Sequence, residues 1–211
     1  MYNLSKMFIV TLLTLSLSFL VSCGQDKTAQ QNEALNNTSG LLADNATTNN
    51  TASTQVDVKV YSIESVSSAT KGKAVDFTWV ENGKKVSFAE LTKDKVVLLN
   101  FWGTWCPPCR REIPDLVALS KELKGKAFVI IGIPLERMPN GAVDAVKEFA
   151  KKNNIEYINI CDLNRKLDQA YGNIEAVPTT FIIDKQGNIA ETIVGGRDKE
   201  SFLQSINRVL K

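Results

Sequence analysis

The chain has 211 residues, 25 of them basic and 23 acidic, for a formal net charge of +2. It carries no basic stripe interleaved with aromatic residues, so the electrostatic footprint of a nucleic-acid partner is missing. It also contains no histidine, which removes imidazole as a general base, metal ligand or pH switch and leaves the chemistry to thiols and carboxylates.

Residues 1–22 hold one positive charge, Lys6, and then a mostly apolar run over 7–21. This is the layout of a signal peptide, and it is short for a membrane span, which needs about 20 apolar residues. The segment ends in Leu20-Val21-Ser22-Cys23-Gly24, which resembles the lipobox of bacterial lipoproteins. That resemblance implies cleavage before Cys23 and lipidation of its sulfur. The protein is then expected in the bacterial cell envelope, extracytoplasmic and held to the membrane by a lipid anchor. Several acyl chains, at ~0.8 kcal/mol per buried CH₂, anchor stably where one does not. Residues 23–55 are rich in Asn, Thr, Ala, Gln and Ser, with no aromatic side chain. They read as the lipidated cysteine followed by a disordered tether spanning roughly 30 Å. One folded domain is expected over 56–211, about 150 residues and large enough to bury a core unaided.

Within that domain, residues 76–80 and 85–88 flank Asn82-Gly83, a dipeptide suited to the type I′ turn of a β-hairpin. Residues 96–101 form a continuous apolar run, as expected of a strand buried on both faces. After two cysteines, Ile113, Leu116, Val117 and Leu123 recur at helical spacing, with Pro114 expected to bend the helix. A second buried strand is predicted over 127–133, a helix over 142–152, a short strand over 155–160 and a short helix over 164–171. Residues 181–184 and 189–194 bracket Lys185-Gln186-Gly187-Asn188 as a further hairpin, and 199–210 close the chain as a helix. Alternation followed by a hairpin and a helix implies an α/β fold with a mixed central sheet flanked by helices.

The chemistry centres on Trp105-Cys106-Pro107-Pro108-Cys109, where a buried strand gives way to a helix. Two cysteines two residues apart at a helix start can close a disulfide, and the first sits where unpaired N–H groups and the helix dipole stabilise a thiolate. Thiols so placed have pKa values lowered into a range of roughly 3.5–7.5. Cys106 is therefore the expected nucleophile, and Cys109, shielded in the first turn, the resolving thiol. Pro107 and Pro108 fit that turn, where a missing N–H costs nothing. Zinc wants four ligands, and neither a second closely spaced cysteine pair nor a histidine is present, so no metal site and no cofactor are expected. Copper transfer by two thiolates and a purely structural disulfide stay open as readings of the pair alone. Trp102 is expected in the core and Trp105 on the active-site surface.

The stretch from Phe77 to the C-terminus resembles the extracytoplasmic thioredoxin-like proteins of the TlpA, ResA and cytochrome c maturation type. That resemblance implies a thioredoxin fold with an N-terminal β-hairpin and an inserted helix-strand segment over 142–160. It implies that Val177-Pro178-Thr179 is a cis-proline loop facing the redox pair, with Val177 and Thr179 on the active-site surface beside Trp105, Pro107 and Pro108. Asn100 stands where cytoplasmic thioredoxins resemble one another in a buried aspartate, so that proton acceptor is missing. Glu112 matches an active-site glutamate of the ResA-like pattern and is the expected replacement, relaying protons for Cys109 or tuning it; an exposed glutamate complementing the helix dipole is the alternative. Glu175, close to Pro178 in sequence, reads as loop surface, with a place at the border of the site as the alternative; Cys161, left over once Cys23 is lipidated, reads as a buried inert thiol, with a regulatory or intermolecular partner as the alternative.

The resemblance implies a thiol:disulfide oxidoreductase that reduces disulfides of other exported proteins and is recharged by a membrane thiol donor, with apocytochrome c as first candidate substrate; nothing in the sequence suggests an obligate interface, and a monomer is expected. A disulfide-forming oxidant shares the fold, and ~30 mV shifts the balance tenfold. A thiol peroxidase is a second alternative, although peroxiredoxins resemble one another in a threonine where Gly103 stands. The third is a non-enzymatic binding lipoprotein on the same scaffold.

Overall fold

The computed structural model describes residues 56–211. Its central sheet has six strands in the order β1-β7-β6-β5-β8-β9. The middle strand is β5, Val96–Trp102, every residue of which is buried. It runs parallel to β6, Phe128–Pro134, and antiparallel to β8, Thr179–Ile183. On one side β7, Ile158–Cys161, and β1, Val60–Ser62, continue the parallel half; on the other β9, Ile189–Val194, closes a hairpin with β8. The sheet is thus mixed, as the sequence predicted.

The alternation of β5 decides which layer covers which face. Val96, Leu98 and Trp102 join one core with Leu116 and Leu119 of α2, Pro107–Glu122, Val146 of α3, Ala142–Lys152, and Phe202 and Ile206 of α5, Lys199–Val209. Val97, Leu99 and Phe101 join the opposite core with Phe77 and Trp79 of β3, Phe88 of α1 and Leu167 of α4, Lys166–Ala170. Here β3, Phe77–Glu81, lies in a separate three-stranded antiparallel sheet between β2, Ser65–Val66, and β4, Lys84–Ser87; α1 is Phe88–Thr92. The hairpin turn has positive φ at Asn82 (52°) and Gly83 (74°), the conformation a type I′ turn requires.

Several boundaries differ from expectation for local reasons. The strand predicted to start at Ile155 starts at Ile158, because Asn154 turns left-handed (φ 54°) and Ile155 donates its N–H back to the Ala150 carbonyl at 2.9 Å. Ile155 is therefore the apolar residue of a helix C-cap. The helix predicted from Asn164 begins at Lys166, because Arg165 is itself left-handed (φ 56°) and the Asp162 carboxylate accepts from the N–H groups of Lys166 (3.0 Å) and Asp168 (2.8 Å). Phe88, predicted as the end of a strand, starts α1 because the Ser87 hydroxyl caps the Glu90 N–H at 3.1 Å. Pro114 lies inside α2, which continues through it to Glu122.

Candidate active site

The two central parallel strands end side by side, with Trp102 opposite Pro134. The loops that leave them share one rim of the sheet, the place where open α/β sheets present their sites. From β5, the chain passes through Gly103-Thr104-Trp105 into α2, whose N-cap is Cys106. Cys106 and Cys109 are disulfide-bonded, with Cα atoms 5.3 Å apart, and the Cys106 sulfur accepts from the Cys109 N–H at 3.2 Å. Both cysteines are buried, Cys106 at 2% exposure and Cys109 completely. The Val177–Pro178 bond is cis, and the Val177 carbonyl oxygen lies 3.4 Å from the Cys106 sulfur, placed to accept from its thiol once the disulfide is reduced.

Glu112 lies one helical turn beyond Cys109, a spacing that brings side chains together on a helix. It is 3% exposed, which excludes the reading of an exposed first-turn glutamate: α2 turns this position toward the sheet, where β5 and the loop before α5 cover it. Its Oε1 accepts from Asn100 Nδ2 at 3.0 Å and its Oε2 from the Arg197 backbone N–H at 3.3 Å. Burial pushes its pKa from 4.5 up to about 7, against these two hydrogen bonds, which act to lower it. A cleft of about 290 Å³ lined by Pro108, Arg111, Asp115, Gly196, Arg197 and Asp198 opens onto the carboxyl group.

The structure thus brings Cys106, Cys109, Glu112, Val177 and Pro178 together, with Pro107 exposed and Pro108 half-buried at the helix start. Trp105 is 38% exposed and Trp102 1%. Thr179 corrects an expectation: it is buried rather than on the active-site surface, because its hydroxyl donates back to the Ala176 carbonyl at 2.7 Å and ties down the loop before Pro178. Glu175 is exposed, and Cys161 is fully buried at the end of β7, where burial pushes its thiol up to about 12. Cys23 lies outside the described residues.

Sequence reasoning missed the contacts that hold the turn before Cys106. Glu136, in the loop after β6, accepts from both the backbone N–H and the hydroxyl of Thr104 at 2.8 Å. Beside it, Trp105 Nε1 donates to the Leu135 carbonyl at 3.0 Å, and the Arg137 guanidinium sits 4.2 Å above the Trp105 ring. This cation–π stack and the paired hydrogen bonds fix the turn that delivers Cys106 to the helix. The one signal for them in sequence is position: Glu136 follows a parallel strand adjacent to the one carrying the motif. Gly103 belongs to the same clamp. A Cβ there would meet Trp105 Nε1 at 2.6 Å and Cε2 at 2.9 Å, so the threonine of a peroxiredoxin does not fit beside this tryptophan.

Comparison with known proteins finds thiol-disulfide oxidoreductases. Residues 70–192 match the AhpC/TSA family. The thiol-disulfide oxidoreductase ResA of Bacillus cereus is 37% identical over 127 residues, 59% of this chain and 70% of that one. Its namesake from Bacillus subtilis is 32% identical over 130 residues, 62% and 69% of the two chains. Among solved structures, a thiol:disulfide interchange protein of the thioredoxin family from Chlorobium tepidum is 34% identical, with a TM-score of 0.59, covering 69% of this chain and 100% of that one. With its redox pair at the helix start and these relatives beside it, the chain belongs to the AhpC/TSA family as a thiol-disulfide oxidoreductase of the ResA type.

Proposed function

We propose that the protein is a lipid-anchored, extracytoplasmic reductant of disulfides in other exported proteins, recharged by a membrane thiol donor. The observation that carries this reading is the Cys106–Cys109 pair at the start of α2 with the buried Glu112 carboxyl one turn beyond it, able to take and return a proton; the direction is taken from the ResA-type relatives that the chain resembles. In the reduced protein the helix N-terminus favours the Cys106 thiolate. That thiolate attacks one sulfur of the substrate disulfide; the S–S bond breaks and the other substrate sulfur leaves as a thiolate that takes up a proton. Glu112 accepts the proton of Cys109, and the Cys109 thiolate attacks Cys106 in the mixed disulfide. The second substrate sulfur leaves as a thiolate and takes up the proton that Glu112 gives back, and the Cys106–Cys109 bond forms. Two electrons have passed to the substrate, and the donor returns them in the reverse sequence. Val177 and Pro178 supply the backbone edge against which the substrate strand aligns, and Trp105 the adjacent apolar surface. Cys23 carries the lipid, and residues 24–55 tether the domain.

The test is trapping. Full-length protein carrying Cys109→Ser, expressed in its host, should retain envelope proteins as mixed disulfides through Cys106 that dithiothreitol releases, apocytochrome c among the first to be sought. The Cys106→Ser variant should trap none. Equal trapping by both variants, or by neither, would overturn the assignment of roles.

A further inference from the structure

The chain has six arginines against 19 lysines, and the arginines are not scattered. Arg165 and Arg208 each pair with a carboxylate, that of Asp168 and of Glu191. The other four surround the redox pair. Arg110 and Arg111 follow Cys109 in α2, Arg137 lies against Trp105, and Arg197 belongs to the loop whose Gly195 N–H donates to the Pro178 carbonyl at 2.8 Å. None of these four forms a salt bridge among the described residues.

Two of them are engaged or balanced locally. Arg197 turns its guanidinium onto the carbonyls of Gly195 and Gly196, and Arg111 shares with it a cleft that also holds Asp115 and Asp198. Arg110 and Arg137 differ. Both are exposed, and every arginine side-chain hydrogen bond among the described residues belongs to Arg165, Arg197 or Arg208. Glu136, next to Arg137 in the chain, has one oxygen on the Thr104 N–H and the other on the Thr104 hydroxyl.

Arg137 is nevertheless held in place. Its guanidinium carbon lies 4.2 Å from the centroid of the Trp105 ring. The ring is itself fixed, because Nε1 donates to the Leu135 carbonyl at 3.0 Å and lies against Gly103. A guanidinium so held keeps its planar fork of N–H donors pre-organised, and that fork matches a carboxylate. Trp105 directly precedes Cys106, so a polypeptide that brings a disulfide to Cys106 past Trp105 meets this guanidinium together with the exposed part of the ring. Arg110 stands one helical turn beyond Cys106, on the same side of α2, its N–H bonded to the Cys106 carbonyl at 3.1 Å.

We propose that Arg137 is a specificity-determining residue that receives a carboxylate beside the substrate disulfide, with Arg110 as a second anchor, so that the site favours disulfides flanked by aspartate or glutamate. Lysine would supply the charge without the planar fork. The contact aligns the substrate sulfur with Cys106, and no proton or electron moves through it.

The proposal rests on Cys106 as the exchanging thiol but not on the direction of electron flow, so the test runs both ways. Full-length protein in mild detergent is mixed with two cyclic peptide disulfides that differ only in Glu or Gln beside each half-cystine, and second-order rates are read by alkylation quench and mass spectrometry. Reduced wild type should act about fivefold faster on the Glu peptide at low salt, the effect of a well-placed exposed ion pair, and the gap should close in ~1 M salt. Arg137→Gln should cut the ratio to about twofold or less, whatever happens to the absolute rates, and adding Arg110→Gln should abolish it. Arg137→Glu should favour a Lys peptide instead. A role confined to holding Trp105 would change all rates alike and leave the ratio, which would overturn the proposal. Arg208→Gln removes the same charge at the far end of α5 and should keep the preference; an equal loss there would make net charge the cause and overturn it too. Equal rates for the two peptides in wild type would overturn it while leaving the redox function intact, and slower exchange with both on phosphatidylglycerol vesicles would then assign the arginines to lipid headgroups. If only the oxidised protein exchanges, with the peptide dithiols and with the same preference for Glu, the reductant reading falls and the carboxylate anchor stands.

Discussion

Replacing Glu112 by glutamine isolates the cost of burying this carboxyl group. In the unfolded chain the group titrates near 4.5 and in the folded protein near 7. Between those values the folded state holds the proton more often than the unfolded state, so stability falls as pH rises through that window. The penalty is absent below pH 4.5 and complete above pH 7. At 1.36 kcal/mol per pH unit it amounts to about 3 kcal/mol. Glutamine keeps the shape and has no charge to desolvate; with one carbonyl oxygen it accepts from Asn100 and loses the Arg197 contact, an offset that is the same at every pH. Urea unfolding of the oxidised protein at pH 4.5, 6 and 8 should show the stability of Glu112→Gln relative to wild type rising by about 3 kcal/mol from the lowest pH to the highest. Other buried carboxyls, Asp162 among them, titrate alike in both proteins and cancel from the difference. Reduction of substrate should slow in the same variant, and its rate should lose the pH dependence centred near 7. A stability difference that stays constant from pH 4.5 to 8 would refute the reasoning, because it would mean that the carboxyl is not paying a desolvation cost.

Other outcomes follow from the contacts around the site. Gly132→Ala drives a Cβ into Asn159 Oδ1 and to 2.8 Å from Trp102 Nε1, breaking the buried 3.1 Å hydrogen bond between those side chains; a loss of about 1–3 kcal/mol is expected in urea unfolding. Glu136→Ala removes both acceptors of Thr104 and should cost about 1.5–3 kcal/mol, with slower disulfide exchange at unchanged pH dependence in stopped-flow mixing with a peptide disulfide. Gly103→Thr should expel Trp105 from its contacts with Leu135 and Arg137, seen as a red shift of tryptophan emission, and should create no peroxidase activity in a hydrogen peroxide assay. Mass spectrometry of protein isolated from its host should find the mature chain starting at a diacylated Cys23; an unmodified Cys23 peptide would contradict the anchor.

The sequence made some of this legible and concealed the rest for physical reasons. The run from Val96 and the turn at Asn82-Gly83 were readable because burial on both faces and positive φ each demand particular residue types. The redox pair was readable because its chemistry needs a fixed spacing at a helix start. The strand β1 escaped notice because its three residues gain strand geometry only from parallel pairing with the distant β7. Phe88 and Ile155 were misassigned because a cap and a C-terminal turn, not periodicity, decide their conformation. In the site, Glu112 was found as a residue type at one turn's spacing, but its burial depends on Asn100 and Arg197, which lie 12 and 85 positions away in the chain. The Glu136 clamp was hidden for the same reason: two loops meet only because their strands lie side by side.

The central claim is that Cys106 and Cys109 work as a reductant, and the reduction potential of the pair tests it most directly. Full-length protein is equilibrated with defined thiol:disulfide buffers, and free Cys106 and Cys109 are trapped by alkylation. The account expects a potential at or below about −270 mV, where the dithiol gives electrons to substrate disulfides; a value near −120 mV would contradict it and make the protein a disulfide-forming oxidant.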